Sequence, residues 1–166
     1  MFSEMRRKNQ ALRPAECEEI LSICTHGVLA LDGDDGYPYA LPISYVYADG
    51  HIYFHCAVEG HKLRAIRRND RASFCVVSQD DIVPERFTTH YRSVIAFGRM
   101  RELESSEKRA AIELIAHRYS PNESDESITA EIDGSFARVC LLELAVEHMT
   151  GKESRELMEM RKKSTN

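Results

Sequence analysis

The sequence predicts an α+β, mainly β domain: six antiparallel strands closing, or nearly closing, into a small barrel with helices at its periphery. Three observations predict it. Aromatic and β-branched runs recur between short turns such as DGDDG and ADG. Apolar residues at helical spacing occur only before, between and after those runs. The chain has 166 residues, 43% of them apolar and 30% charged, with no repeat, low-complexity tract or linker. It therefore reads as a single domain over 1–166, long enough to bury one core.

Residues 1–12 are basic and irregular. Pro14 opens a helix, PAECEEILSIC, with acidic residues in the first turn and Ile20, Leu21 and Cys24 on its buried face. Thr25-His26-Gly27 ends it, and Val28–Leu31 is a short strand. The DGDDG turn leads to a return strand, Tyr37–Tyr47. Pro42 lies inside that strand and cannot donate to a ladder, so it requires an edge, a bulge or a barrel mouth. Ala48-Asp49-Gly50 turns into strand 51–57. A basic helix over 60–70 follows, with Leu63 and Ile66 inward, and then strand 72–78. Residues 79–90 read as a loop. Tyr91–Leu103 is a long strand that Gly98 allows to bend. A helix begins at Ser105 or Ser106, a polar loop and another helical turn follow, and Phe136–Val146 is the last strand. The end of the chain is a short amphipathic helix with a frayed tail.

The net charge of −5 argues against general nucleic-acid binding. No segment approaches the ~20 apolar residues of a membrane span, and the N-terminus lacks a signal-like apolar stretch. The five cysteines are odd in number and form no CxxC, which reads as buried thiols in a reducing, cytoplasmic compartment.

The chemistry concentrates around residues 37–77. Gly60, His61 and Lys62 stand where a helix begins after an apolar strand. A helix start carries unpaired N–H groups and partial positive charge, and Lys62, Arg64, Arg67 and Arg68 add to it. That is a place for a phosphate, though the GxxxxGK[ST] spacing is absent and a merely solvated basic face is the competing reading. His51 and His55 share one strand face about 13 Å apart, too far for one metal. No HExxH and no GxSxG occur, so neither a catalytic zinc nor a serine hydrolase is indicated. Cys56 and His55 point to opposite faces and do not make a nucleophile–base pair.

Four blocks carry a resemblance: GYPYALPISYVY, ADGHIYFH, EGHKLRAIRRNDRA and YRSVIAFG, in this order and over about residues 14–147. Together they resemble the pyridoxamine 5′-phosphate oxidase-like superfamily of flavin-binding split barrels, and within it the 5-nitroimidazole-resistance (Nim) type. The resemblance implies a six-stranded antiparallel split β-barrel with peripheral helices, and a homodimer holding FMN at the subunit interface. It implies ring contacts from Pro42, Ile43 and Ser44. His55, Cys56 and Ala57 would line the site, and Gly60, His61 and Lys62 would hold the phosphate. Tyr91, Ser93 and Val94 would approach from the second subunit. In the oxidase branch a basic residue stands where this chain has Ala40, which favours the Nim-like branch. The implied activity is FMN-dependent reduction of nitroaromatic or other small acceptors, with His55 as the catalytic proton donor and a small-molecule electron donor. A haem- or deazaflavin-binding barrel and a flavin module without turnover are the alternatives.

Overall fold

The computed structural model describes residues 2–164. Its elements are α1 (Pro14–Ile23), β1 (His26–Asp32), β2 (Pro38–Ser44), β3 (Val46–Ala48), β4 (His51–Ala57) and α2 (His61–Arg68). Then come β5 (Arg71–Val83), β6 (Thr88–Leu103), α3 (Ser105–Tyr119), α4 (Asp125–Ser135), β7 (Val139–Glu153) and α5 (Arg155–Ser164). No helix among the described residues is long and apolar enough to cross a membrane.

The strands form one antiparallel sheet in the order β2-β1-β5-β6-β7-β4-β3. Two expectations are corrected here. There are seven strands rather than six, and the ladder does not close into a barrel. The return strand expected over 37–47 divides at Tyr45: β2 pairs with β1, while β3 pairs with β4. The two ends of the sheet are thus separated by one residue of chain, and the sheet must roll for the chain to pass from one edge to the other.

Tyr45 makes that corner. Its side chain is 1% exposed and stands edge-on to Phe74, with ring centroids 4.8 Å apart. Its hydroxyl donates to the Leu21 carbonyl of α1 at 2.7 Å. Its backbone N–H lies 3.1 Å from the Tyr119 hydroxyl of α3, whose proton is shared between the Thr25 and Tyr45 carbonyls. The helices on both sides therefore fix the point where the strand changes partner.

Alternation along the strands sends Leu29, Leu31, Ile52, Phe54, Phe74, Val76, Val94, Ala96, Leu142 and Leu144 into the roll, where α1 and α2 complete the core. A second cluster lies outside. Leu103 and Leu141 pack with Ile112, Ile115, Ile128 and Ile132 of α3 and α4, with Val46 and Tyr53 against it. Gly98 bends β6 as expected. The β6–β7 register shifts between Phe97 and Gly98, and a Cβ at Gly98 would lie 2.0 Å from the Ala145 carbonyl oxygen. Residues 79–90, expected as a loop, instead lengthen β5 and β6 into a hairpin arm turned by Pro84–Arg86 and by Phe87 at φ 50°. The last strand is longer than expected and runs to Glu153.

Glu153 is fully buried and paired with Arg92 at 3.3 Å and Arg161 at 2.6 Å. Arg161 also meets Glu16, which accepts the Arg13 N–H at 2.7 Å and so caps α1. This chain of charges ties α5 and α1 to the sheet. Burial opposes ionisation of Glu16, but its bonds from Arg13 and Arg161 outweigh that and hold its pKa at about 2.

Two outcomes follow from these contacts. Tyr45→Phe leaves the buried Leu21 carbonyl without its donor and should cost about 1–3 kcal/mol, read as a lower urea midpoint with an unchanged slope; an unchanged midpoint would remove Tyr45 as the anchor. Glu16→Gln should be less stable than the parent at pH 7, because a depressed carboxylate stabilises above its unfolded pKa of about 4.3. The gap between the two proteins should close as pH falls from there towards 2. A gap independent of pH would place the effect in packing rather than charge.

Candidate functional site

The site is built by a separation of strands. β3 and β4 pair with Val46 opposite Tyr53. Continuing that register would place Ser44 opposite His55 and Pro42 opposite Ala57. No ladder forms there: β2 pairs only with β1, and His55–Ala57 pair only with β7. Beyond the Tyr45 corner the two strands thus present facing edges that are not bonded to each other. The far end is closed by ring stacking between Tyr39 of β2 and His61 of α2, with centroids 4.1 Å apart. The result is a split bounded by β2, the end of β4 and the start of α2.

The bonds that bracket β2 show which backbone groups face the split. The Tyr45 N–H donates to Thr25 and the Gly33 N–H to the Tyr37 carbonyl, so odd-numbered residues turn towards β1. Even-numbered residues, Pro38, Ala40, Pro42 and Ser44, turn to the open side, and their side chains are exposed. Pro42 is thus tolerated as an edge residue, its missing N–H costing no ladder bond. Ile43 faces inward, partly buried against the core.

Across the split, His55 and Ala57 are exposed and Cys56 points inward. Gly60, at φ 137°, turns the chain into α2, and no side chain caps that helix. Its first N–H groups are left for another acceptor. The basic residues of α2 divide by role. Arg67 pairs with Glu102 at 2.6 Å. Arg68 pairs with Asp34 at 3.0 Å and donates to the Asp32 and Gly33 carbonyls. His61 Nε2 lies 3.1 Å from Asp34 Oδ2, off-line for a hydrogen bond. The bond from Arg68 holds the Asp34 carboxyl below its ordinary pKa, with His61 and Arg64 adding to the effect. Lys62 makes no ion pair among the described residues, and Arg64 acts on Asp34 only through its charge.

The structure therefore brings together Pro42, Ile43, Ser44, His55, Cys56, Ala57, Gly60, His61 and Lys62 around one split. It does not bring the three β6 residues there within one chain. β6 is separated from β2 by β1 and β5. Tyr91 and Ser93 stand on its outer face, Tyr91 under the Lys152 ammonium at 5.5 Å, and Val94 is fully buried in the core. Two residues were missed by the sequence reading, Tyr39 and Asp34, which both meet His61 at the start of α2, while Arg68, expected to help hold a phosphate, is instead engaged with Asp34. Asp34 carried only a turn signal, and Tyr39 only the alternation of its strand.

A sequence model of the pyridoxamine 5′-phosphate oxidase family matches residues 13–153. No curated protein matches the chain. Among solved structures, a candidate 5-nitroimidazole antibiotic resistance protein from Bacteroides thetaiotaomicron is similar with a TM-score of 0.70, 22% identity and 86% of each chain covered. An FAD-binding protein from Mesorhizobium loti has a TM-score of 0.59 and 26% identity, over 87% of this chain and 96% of its own. An FAD- and heme-binding protein from Mycobacterium smegmatis has a TM-score of 0.73 and 22% identity, over 88% of this chain and 74% of its own. The family match takes in all seven strands, both edges of the split and the start of α2, and on it the chain belongs to the pyridoxamine 5′-phosphate oxidase family.

Proposed function

We propose that this protein binds FMN in the split and works as a flavin-dependent oxidoreductase on nitroaromatic or similar small acceptors. The observation that carries the reading is the unbonded pair of strand edges ending at an uncapped helix start with a free lysine. A phosphate fits the α2 end: N–H donors, the helix dipole and the Lys62 ammonium all favour an anion there. Pro42 lies three residues along β2 from Tyr39, about 10 Å, so one elongated ligand can span from the helix to the middle of the strand. Family membership and the FAD-binding relative support a flavin.

The flavin supplies the redox chemistry, accepting electrons from a donor and passing them on. The chain's own part is binding, orientation and proton handling. Lys62 and the α2 N–H groups hold the phosphate. The open edge of β2 offers carbonyls at Pro38, Ala40, Pro42 and Ser44 and N–H groups at Ala40 and Ser44, which orient a planar ring. His55, exposed and with no side-chain hydrogen bond or ion pair among the described residues, delivers a proton to the acceptor. We further propose a homodimer in which the outer face of β2, β1, β5 and β6 meets its copy. That face exposes Val28, Val77 and Ile95, and a second copy would carry Tyr91 and Ser93 to the flavin.

The test is an absorption spectrum with and without added FMN, followed by affinity measurements. Two flavin bands released as FMN on denaturation are expected; a Soret band or no uptake would overturn the reading. Lys62→Ala should weaken FMN binding about 10- to 100-fold, and an unchanged Kd would remove the phosphate site. His55→Gln should keep FMN but slow reoxidation of the anaerobically reduced protein by a nitroaromatic about 100-fold. Reoxidation at the parent rate would take His55 out of the proton step.

A further inference from the structure

A pair of thiols lies just inside the split and independently of any flavin. Cys56 of β4 and Cys140 of β7 are direct register partners. Paired residues of an antiparallel ladder share a face and bring their Cβ atoms to about 4.5–5.5 Å, close to the span of a disulfide. Both are free thiols, and each acts on the other's ionisation. No other two cysteines of the described residues are partners: Cys75 faces Val28 and Ile95.

The surroundings are polar on one side. Glu102 Oε2 lies 3.7 Å from Cys140 Sγ. Burial raises the pKa of Cys56, while the Lys62 charge lowers it. Burial, Cys56 and Glu102 all raise Cys140, to about 12. Cys56 is only partly buried, and Cys140 forms part of the wall of an open depression of about 460 Å³ with Val58, Ser105, Lys108 and Phe136.

We propose that Cys56 and Cys140 are a reversible dithiol–disulfide site, oxidised by low-molecular-weight disulfides. The Cys56 thiolate, for which Lys62 offsets part of the burial that raises the thiol overall, attacks one sulfur of the external disulfide. That S–S bond breaks, one thiolate leaves and takes up a proton, and Cys56 carries a mixed disulfide. Cys140 then gives its proton to water and attacks Cys56 Sγ, and the second thiolate leaves and is protonated. Two protein thiols are oxidised to one disulfide, and the external disulfide is reduced to two thiols. The bond formed staples Cys56 near the end of β4, four residues before Gly60, to the start of β7.

The test uses the full-length protein, kept native with glutathione disulfide, then denatured, alkylated and mapped by mass spectrometry. Two of the five cysteines should escape alkylation, with a loss of about 2 Da before alkylation and a linked peptide pair holding Cys56 and Cys140. Dithiothreitol should restore all five to alkylation. Cys140→Ser should stop at a glutathione adduct of about 305 Da on Cys56. Full alkylation of the oxidised parent, glutathione retained on it, or linkage through Cys17, Cys24 or Cys75 would overturn the proposal whatever the variant does. An adduct elsewhere on Cys140→Ser would overturn the order of attack.

Discussion

Everything in this fold depends on one change of partner at Tyr45. A sheet with two free ends ordinarily leaves both exposed to solvent. Here the chain itself joins them: β2 ends one side of the sheet, Tyr45 turns, and β3 begins the other. The turn holds because a buried tyrosine hydroxyl and a backbone N–H find partners on α1 and α3. The roll that encloses the core and the gap between β2 and β4 are two results of the same turn. Pairing beyond Tyr45 would close the barrel and remove the site.

Charge is divided in a way that suits this arrangement. Of the cations on α2, Arg67 and Arg68 spend their charge holding the helix against β6 and the β1–β2 turn. Lys62, in its first turn, makes no ion pair among the described residues. The helix is thereby fixed at its last turn and electrostatically unsatisfied at its first, the arrangement expected where an anion is to be met by a preorganised cradle.

Much of this was legible in the sequence because the signals are local. The Asp-Gly turns, the alternation of β4 and the helix start at Gly60-His61-Lys62 each depend on a few neighbouring residues, and all lie where they were expected. The break at Tyr45 was not legible. Ile43, Tyr45 and Tyr47 alternate without interruption, and what breaks the strand is Tyr119, 74 residues away. The hairpin arm over 79–90 was also hidden. Gln79, Asp80, Asp81 and Pro84 read as loop residues, and the arm is held by cross-strand backbone pairing that leaves Ile82 and Phe87 exposed. The facing edges at the split depend on register across several strands, which no local pattern encodes. Tyr91 and Ser93 sit in a strong strand signal, but their distance from the split is a matter of strand order.

The two prolines on the open edge of β2 have a further consequence. An edge strand is a template on which any passing extended chain can add itself, the first step of cross-β aggregation. Pro38 and Pro42 remove two of the four donors that such a recruit would need, at alternate positions on the side that faces away from β1. The open edge of β2 is thus unpaired yet poorly suited to recruiting polypeptide. Replacing those prolines with strand-forming residues would cost the β1–β2 ladder no bond, and would expose the population at large to self-templating through the open edge of β2.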